Sequence, residues 1–389
     1  MKKRFIMVVA AICTFVFVFS AYAGTRGVTD DMIILGAHSD LSGPLASWGV
    51  ASVNGIKLRF KEVNQDGGIH GRKIKFLVED TRYQVPLAVK ATRKLIVRDK
   101  IFAMVGGLGT SQNNAAMKIQ FKSNVPNLFP LSGAEVMGIP FKRLKFGYLT
   151  NYKKQIRAGI RYFVETQGIK SVCLQRVLSD AGQEFADGFN QAVKTHGLEV
   201  KLVGGHKTTE TEFVGAGTKI KNSGCDLLVL GTAVKDTIII HATLKKLGWK
   251  KPIMTAMVPY MPLVAKAAQG AMNGLYSIVP IFNVTATGES AASRKFIADY
   301  RAAYNAEPNN QAQTGYIFAD LTAKALQRAG RDLTVDSLIK ALEGIKNYVD
   351  PFGTSSATYG PKAHFGGNRV SLVQVRDQKW VIVKESIPF

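Results

Sequence analysis

Residues 101–122, IFAMVGGLGTSQNNAAMKIQFK, contain one complete strand–turn–helix unit. Residues 101–105 form a short apolar run typical of a buried strand, and residues 115–122 have the apolar spacing of a helix. Three glycines lie in the turn between them. Consecutive units of this kind build a parallel sheet with right-handed crossovers. The stretch therefore predicts an α/β protein.

The same alternation continues on both sides of this unit, in two series. The first series runs from a strand at residues 32–37 to a strand at residues 125–129, and the second runs from a helix at 156–167 to a strand at 253–256. Two series of similar length predict two α/β lobes rather than one large sheet. Beyond residue 285 the pattern predicts three helices and then a hairpin that turns at Asp377-Gln378.

Composition limits the class of protein. The chain has 389 residues, of which 46% are hydrophobic and 20% are charged, which suits a globular protein of two or three domains. Three Cys and six His exclude a disulfide scaffold or a zinc array. The formal net charge of +23 is compatible with three partners: nucleic acid, an anionic membrane surface or an anionic ligand.

The first 23 residues predict a cleaved signal peptide. Lys2, Lys3 and Arg4 precede an apolar run over residues 5–19, which is shorter than the roughly 20 residues needed to span a bilayer. Small residues at Ala21 and Ala23 fit a cleavage site, and an uncleaved anchor is the alternative. Cleavage removes three basic residues and leaves +20. Export argues against a nucleic-acid partner and leaves a solvated basic surface, which can steer anions, as the simplest interpretation of the charge.

Signatures of catalysis are missing from the sequence. It contains no Walker A loop, no HExxH motif and no Gly-x-Ser-x-Gly elbow, and the scattered histidines lack the spacing of metal ligands. Gly107-x-Gly109-x-x-Gln112 lacks the third glycine of a dinucleotide fingerprint. We therefore predict a protein that is not an enzyme and binds no cofactor or metal. Cys173 and Cys225 are the two thiols of the mature chain; two separate buried thiols are favoured, and a disulfide stays open.

Three turns after strands of the first series are rich in small and hydroxyl residues. They lie at residues 39–48, 106–111 and 130–134, at strand ends where parallel sheets bind ligands. Thr110 or Ser111 is expected to cap the following helix, whose free N–H groups and dipole attract anions. Any one such turn is an ordinary helix cap more often than a site, but three on one edge favour a carboxylate-binding cleft.

Several motifs in a fixed order resemble the branched-chain amino-acid-type (leucine/isoleucine/valine-binding) periplasmic binding proteins of ABC importers. The resemblance covers essentially the whole mature chain. It implies an α/β fold of the type I periplasmic binding class, in which two doubly wound parallel-sheet lobes are joined by three crossover strands and close on a ligand. The motifs are Leu41-Ser42-Gly43-Pro44 with Trp48-Gly49, Gly67-Gly68-Ile69-x-Gly71-Arg72-Lys73-Ile74, Asp80 with Pro86-Leu87-Ala88, Lys94-Leu95-Ile96, Val105-Gly106, and Ser179-Asp180 with Gly182.

The resemblance also implies lobe boundaries. Lobe one is expected to contain residues 24–147 and 280–352, and lobe two residues 148–279 and 353–389. The crossovers are expected near residues 144–148, near 276–281 and between 351 and 371.

Carried over residue by residue, the resemblance places the carboxylate anchor on two turns. Thr110 supplies a hydroxyl from the first turn, Ser132 and Gly133 supply hydroxyl or backbone groups from the second, and Trp48 lines the side-chain pocket. The full set of expected ligand-binding residues is Ser42, Trp48, Gly109, Thr110, Ser111, Ser132, Gly133, Asp180, Ala181, Ala233 and Met257.

Lobe two departs from the family pattern at three of these positions. Ala181 and Ala233 stand where aromatic residues are expected, although a small shift would bring in Phe185 or Tyr260. Met257 stands where an acid would pair with the α-amine of an amino acid. Asp236 and Glu289 are the acids that flank this position, so we expect no carboxylate near the ligand in this lobe. This predicts an aromatic or extended aliphatic acid without an α-amine; the alternative is an ordinary amino acid held by backbone carbonyls.

The sequence thus predicts an exported, monomeric solute-binding protein that delivers a small carboxylate to the membrane permease of an ABC importer. A sensor of the same fold that signals to a partner is the alternative.

Overall fold

A computed structural model describes residues 24–284 and 290–389; the predicted signal peptide lies outside the described residues. The first part of the chain forms a sheet of five parallel strands connected largely by helices. The strands are β1 (Met32–Ser39), β2 (Lys73–Asp80), β3 (Ala103–Val105), β4 (Asn127–Leu128) and β5 (Lys145–Phe146). The helices are α1 (Ala46–Gln65), α2 (Val85–Arg93) and α3 (Thr110–Lys122). The strand order is β2-β1-β3-β4-β5, which places the ends of β1, β3 and β4 side by side.

The second part of the chain forms a separate sheet. Its elements are α4 (Tyr152–Gln167), β6 (Ser171–Val177), α5 (Asp180–His196), β7 (Glu199–His206), α6 (Val214–Ser223), β8 (Leu227–Gly231), α7 (Val234–Lys246), β9 (Ile253–Thr255), α8 (Pro262–Lys266) and β10 (Leu275–Val279). The five strands are parallel, and β7 lies at the edge in the order β10-β9-β8-β6-β7.

The rest of the chain returns to the first sheet and then extends the second. The remaining elements are α9 (Ala291–Tyr304), α10 (Asn310–Ala329), α11 (Val335–Glu343), β11 (Tyr348–Val349), β12 (Ser356–Ala357), β13 (Ser371–Arg376) and β14 (Lys379–Lys384). Helix α10 packs along α1. Strand β13 pairs antiparallel with β10, and β14 pairs with β13 through the predicted hairpin, where Asp377 and Gln378 both have positive φ. The two-lobed α/β fold predicted from the sequence is confirmed.

Helix starts differ from the sequence prediction in a consistent way. Helices α1, α3, α7 and α10 each begin four or five residues earlier than the apolar spacing indicates. The first turns of α3 and α7 carry mostly polar residues that line the space between the sheets, so these turns lack the apolar period. The helix predicted over residues 86–99 ends at Arg93 and continues as a π-helical turn, Lys94–Arg98.

The two mature cysteines form a disulfide, which corrects the favoured prediction of two separate thiols. Cys173 lies in β6 and Cys225 lies just before β8, and their Cα atoms are 5.9 Å apart. Because β6 pairs directly with β8, the fold brings the two residues together. The sequence alone does not give this strand order. Among residues 24–284 and 290–389, no helix is both long and apolar enough to cross a membrane.

Candidate ligand-binding site

A cavity of about 490 Å³ lies between the two sheets, at the carboxyl ends of their parallel strands. Its volume is in the range of small-molecule sites, and its lining comes from both lobes. Eight of the eleven residues expected from the sequence line it: Trp48, Gly109, Thr110, Ser111, Ser132, Ala181, Ala233 and Met257. Ser42, Gly133 and Asp180 do not.

The polar part of the first-lobe wall is a pair of buried hydroxyl groups. Thr110 Oγ1 and Ser132 Oγ are 2.8 Å apart, and both side chains are buried. Thr110 is the first residue of α3, so the hydroxyl pair lies where the amide N–H groups of the first helical turn are free of intrahelical partners. We call Thr110, Ser111, Ser132 and the N-terminus of α3 the anion subsite.

The cap of α3 differs from the sequence expectation. We expected Thr110 or Ser111 to be the N-cap, but Gly109 holds that position and no side chain among the described residues caps the helix. The Thr110 hydroxyl bonds to Ser132 instead. The first-turn amides therefore remain available, and the positive end of the helix dipole faces the cavity.

Backbone geometry explains the glycine at this N-cap. Gly109 has a φ of +99°, in the left-handed region, and a Cβ there would lie 2.2 Å from Gln112 Oε1. Asn113 stabilises the turn because its Nδ2 donates to the carbonyl oxygens of Gly107 and Gly109, each at 2.7 Å. The conformation of the anion subsite is thus fixed by its own turn.

Gly133 contributes space rather than a lining atom. A Cβ at Gly133 would lie 2.5 Å from the ring of Tyr152, which packs against it and does line the cavity. Burial raises the pKa of Tyr152 to about 12, so its hydroxyl is protonated at neutral pH. The Tyr152 ring lies 4.5 Å from that of Phe185, measured between centroids. Together the two rings give the cavity an aromatic wall.

Trp48 connects the two lobes as well as lining the cavity. The side chain is buried, and its Nε1–H donates to the carbonyl oxygen of Val258, after β9, at 3.0 Å. The indole therefore presents its ring to the cavity while its one polar group is satisfied across the cleft.

The second-lobe wall is apolar where the family pattern has aromatic and acidic residues. Ala181, Ala233 and Met257 all line it. Phe185 lines it too and lies one helical turn after Ala181 on the same face of α5, a spacing that identifies it from sequence. Tyr260 is outside the described lining and accepts a hydrogen bond from the Asn283 amide at its hydroxyl.

Ser42 and Asp180 lie near the cavity but make other contacts. Ser42 is exposed, and its Oγ donates to Asp80 Oδ2 at 2.6 Å. Asp180 is the first residue of α5 and accepts from Asn114 Nδ2, on α3, at 2.9 Å. Ser42 therefore stabilises a loop of the first lobe, and Asp180 links the two lobes.

One acidic residue corrects the expectation for lobe two. Asp236, in the first turn of α7, lines the cavity and is only 4% exposed. The prediction that this lobe offers no carboxylate near the ligand is therefore wrong. Asp236 is far from Met257 in sequence, but α7 follows the neighbouring strand β8 and its early start brings Asp236 to the wall.

Comparisons with known proteins agree on a family and a fold. A profile described as periplasmic binding protein matches residues 33–379. The chain is 23% identical over 363 residues to the Leu/Ile/Val-binding protein homolog 8 of Brucella suis, covering 90% of this chain and 87% of that protein.

Two solved structures have the same fold. A fatty acid ABC transporter substrate-binding protein from Thermomonospora curvata superposes with a TM-score of 0.84 at 22% identity, covering 94% of this chain and 95% of that one. A solute-binding protein from R. palustris in complex with benzoate gives 0.81 at 19% identity, covering 92% and 97%.

Proposed function

The chain belongs to the periplasmic binding protein family, and we propose that it is an extracytoplasmic solute-binding protein that captures a small carboxylate between its lobes. It delivers that solute to the permease of an ABC importer. The proposed role is binding and release rather than catalysis.

The observation that carries this proposal is the anion subsite inside a cavity shared by both lobes. A carboxylate has two oxygen atoms, each able to accept two hydrogen bonds. The first-turn amides of α3 are donors for them, and the hydroxyls of Thr110 and Ser132 become donors when they rotate from each other toward the carboxylate. Hydrogen bonds to an ionised acceptor are stronger than those between neutral groups, and the helix dipole adds to the attraction.

The body of the solute is proposed to be apolar, and aromatic or extended aliphatic. Trp48, Tyr152 and Phe185 supply large apolar surfaces, while Ala181 and Ala233 leave room between them. The names of relatives include leucine-type amino acids, a fatty acid and benzoate, so the fold accommodates each of these shapes.

We propose that the solute lacks an α-amine. The N-termini of α3, α5 and α7 border the cavity, and Arg82 and Lys235 lie in its lining. These groups make the local field positive, which favours an anion and disfavours an ammonium group. Asp236, the one acid of the described lining, lies beside Lys235 in the first turn of α7, where the helix N-terminus offsets its charge.

Identification of the natural solute tests the function directly. Protein purified without denaturation should release a carboxylic acid when it is unfolded, detectable by mass spectrometry. Calorimetry should show that 3-phenylpropanoate binds more tightly than phenylalanine, and 4-methylpentanoate more tightly than leucine. Tighter binding of both amino acids would contradict the amine-free proposal, and binding of neither kind of ligand would contradict the proposed function.

Export is a separate proposal with its own test. The mature protein is expected to begin near Gly24, after Ala23. Amino-terminal sequencing of periplasmic material should return that residue, whereas material that begins at Met1 would contradict cleavage.

A further inference from the structure

Asp236 has one carboxylate oxygen for which the described residues provide no partner. Its Oδ2 accepts from His206 Nε2 at 3.1 Å, whereas Oδ1 makes no hydrogen bond within residues 24–284 and 290–389. The side chain is 4% exposed and belongs to the cavity lining. Oδ1 is thus an acceptor at the cavity surface that is free to bind a donor of the solute.

The partners of Asp236 fix its orientation. The side-chain amide nitrogen Nε2 of Gln175 donates to His206 Nδ1 at 3.0 Å. Nδ1 is therefore the acceptor of the imidazole, and Nε2 carries the hydrogen that Asp236 receives. Both Gln175 and His206 are buried, so the chain of hydrogen bonds holds the carboxylate in place. The free oxygen is a fixed acceptor in the cavity wall.

The surroundings decide which kind of donor fits. Asp236 lies in the first turn of α7, whose N-terminus no described side chain caps, and Lys235 precedes it. The helix N-terminus and Lys235 disfavour an ammonium group beside Asp236. A neutral hydroxyl escapes this repulsion and still donates to the carboxylate.

We propose that the solute is a hydroxylated acid, in which the carboxylate occupies the anion subsite and a hydroxyl donates to Asp236. This inference rests on the proposed function and deepens it, because it assigns Asp236 as a residue that determines specificity. The anion subsite then selects for an acid, and Asp236 selects among acids.

Matched pairs of acids test the assignment by calorimetry on the mature protein. The aromatic pairs are benzoate with its 3- and 4-hydroxy forms, and 3-phenylpropanoate with its 4-hydroxyphenyl form; hexanoate and 6-hydroxyhexanoate form the aliphatic pair. We expect the hydroxyl to increase affinity about tenfold or more in at least one pair. Phenylalanine and tyrosine, measured alongside, test whether an amine replaces the hydroxyl.

Two variants of Asp236 connect the gain to this residue. Asp236→Ala should abolish the gain from the hydroxyl, and Asp236→Asn, which keeps an acceptor oxygen but loses the charge, should retain only part of it. Asp332→Asn removes an exposed acid and should leave the gain unchanged. The melting temperature of each variant without ligand shows whether it is folded. If Asp236→Ala does not fold, Asp236→Asn, whose side chain has nearly the same shape, still tests the assignment.

Three outcomes would overturn the inference: no hydroxylated acid binds more tightly than its partner, the gain persists in both Asp236 variants, or an amine gains more from Asp236 than a hydroxyl does. Failure of every acid to bind would instead contradict the proposed function. The two failures are therefore distinguishable.

Discussion

The two walls of the cavity differ in how they are built. The first-lobe wall presents turns after β1, β3 and β4, with hydroxyl and backbone groups held by the turn geometry itself. The second-lobe wall presents the first turns of α5 and α7 and the loops after β8 and β9, and side chains such as Phe185, Ala233 and Met257 line the cavity there. The first wall can recognise a group common to many solutes, and the second can change with the solute.

This difference predicts that hydroxyl groups of the first wall matter more for affinity than those of the second. Thr110→Ala combined with Ser132→Ala should weaken binding of 3-phenylpropanoate by about 100-fold or more, because hydrogen bonds to a charged group contribute about 1.5–3 kcal/mol each. Thr110→Ala alone should cost about 10- to 100-fold. Isothermal titration calorimetry measures both losses.

The matched control lies in the second wall. Thr232 also lines the cavity and is fully buried, but its hydroxyl is 2.6 Å from that of Thr237. Thr232→Ala should reduce affinity by less than about threefold, since no charged group is expected there. An equal loss in both walls would remove the distinction between them.

The second prediction compares buried histidines, one in each lobe. Burial lowers the pKa of His38, in β1, to about 4, and burial with nearby Lys245 lowers that of His241, in α7, to about 4. Between pH 6.5 and 4 the unfolded chain binds protons at these positions that the folded protein excludes. The free energy of unfolding should therefore decrease as the pH is lowered, by about 2 kcal/mol for each histidine between pH 7.5 and 5.

Non-titrating variants separate the two contributions. The two histidines together account for a loss of about 4 kcal/mol between pH 7.5 and 5, and His38→Gln or His241→Gln should each remove about half of it. Chemical denaturation at both pH values measures the loss. A loss of stability that neither variant reduces would show that other groups control the acid sensitivity.

The fold was predictable from sequence because strands and helices alternate with clear apolar periods. The prediction was weakest where side chains turn away from a core. The early turns of α3 and α7 face the cavity, so their residues do not show helical apolar spacing. The order β10-β9-β8-β6-β7 depends on long-range pairing, which explains why the Cys173–Cys225 disulfide could not be derived from spacing.

The site was predictable to the extent that its geometry is local. Gly109, Thr110 and Ser132 are identified by turns that require small or hydroxyl residues. Asp236 was missed because its position depends on the start of α7 and on His206, a residue of the edge strand β7. A local motif reveals the anion subsite, whereas tertiary packing determines what else the solute meets.

The third prediction concerns a larger side chain in the second-lobe wall. Ala233→Tyr places a large ring where the cavity is now lined by a methyl group, so a bulky acid should lose room while a small one should not. We expect 3-phenylpropanoate to bind about tenfold more weakly and butanoate to be nearly unaffected, because forced overpacking costs about 1–3 kcal/mol. Calorimetry on both acids gives the ratio.

An aromatic residue placed on the surface is the control for this change. Val214→Tyr adds a ring to an exposed position at the start of α6, outside the described lining of the cavity. It should leave both affinities unchanged. Tighter binding of the bulky acid by Ala233→Tyr would mean that the second wall requires an aromatic residue after all.

The smallest expected effect concerns a hydrogen bond that joins the walls. Asn114 Nδ2 on α3 donates to Asp180 Oδ2 on α5 at 2.9 Å, at the exposed side of the cleft. A solute enclosed by both walls leaves only when they separate, so this bond should slow release more than entry. Because exposed contacts contribute about 0.5–1 kcal/mol, Asn114→Ala should raise the dissociation rate of 3-phenylpropanoate about two- to fivefold. Stopped-flow measurements of intrinsic tryptophan fluorescence give both rates, and Asp180→Ala should add little to Asn114→Ala if the two residues act through one bond. A change confined to the association rate, or fully additive effects of the two substitutions, would show that the walls are not held together at this point.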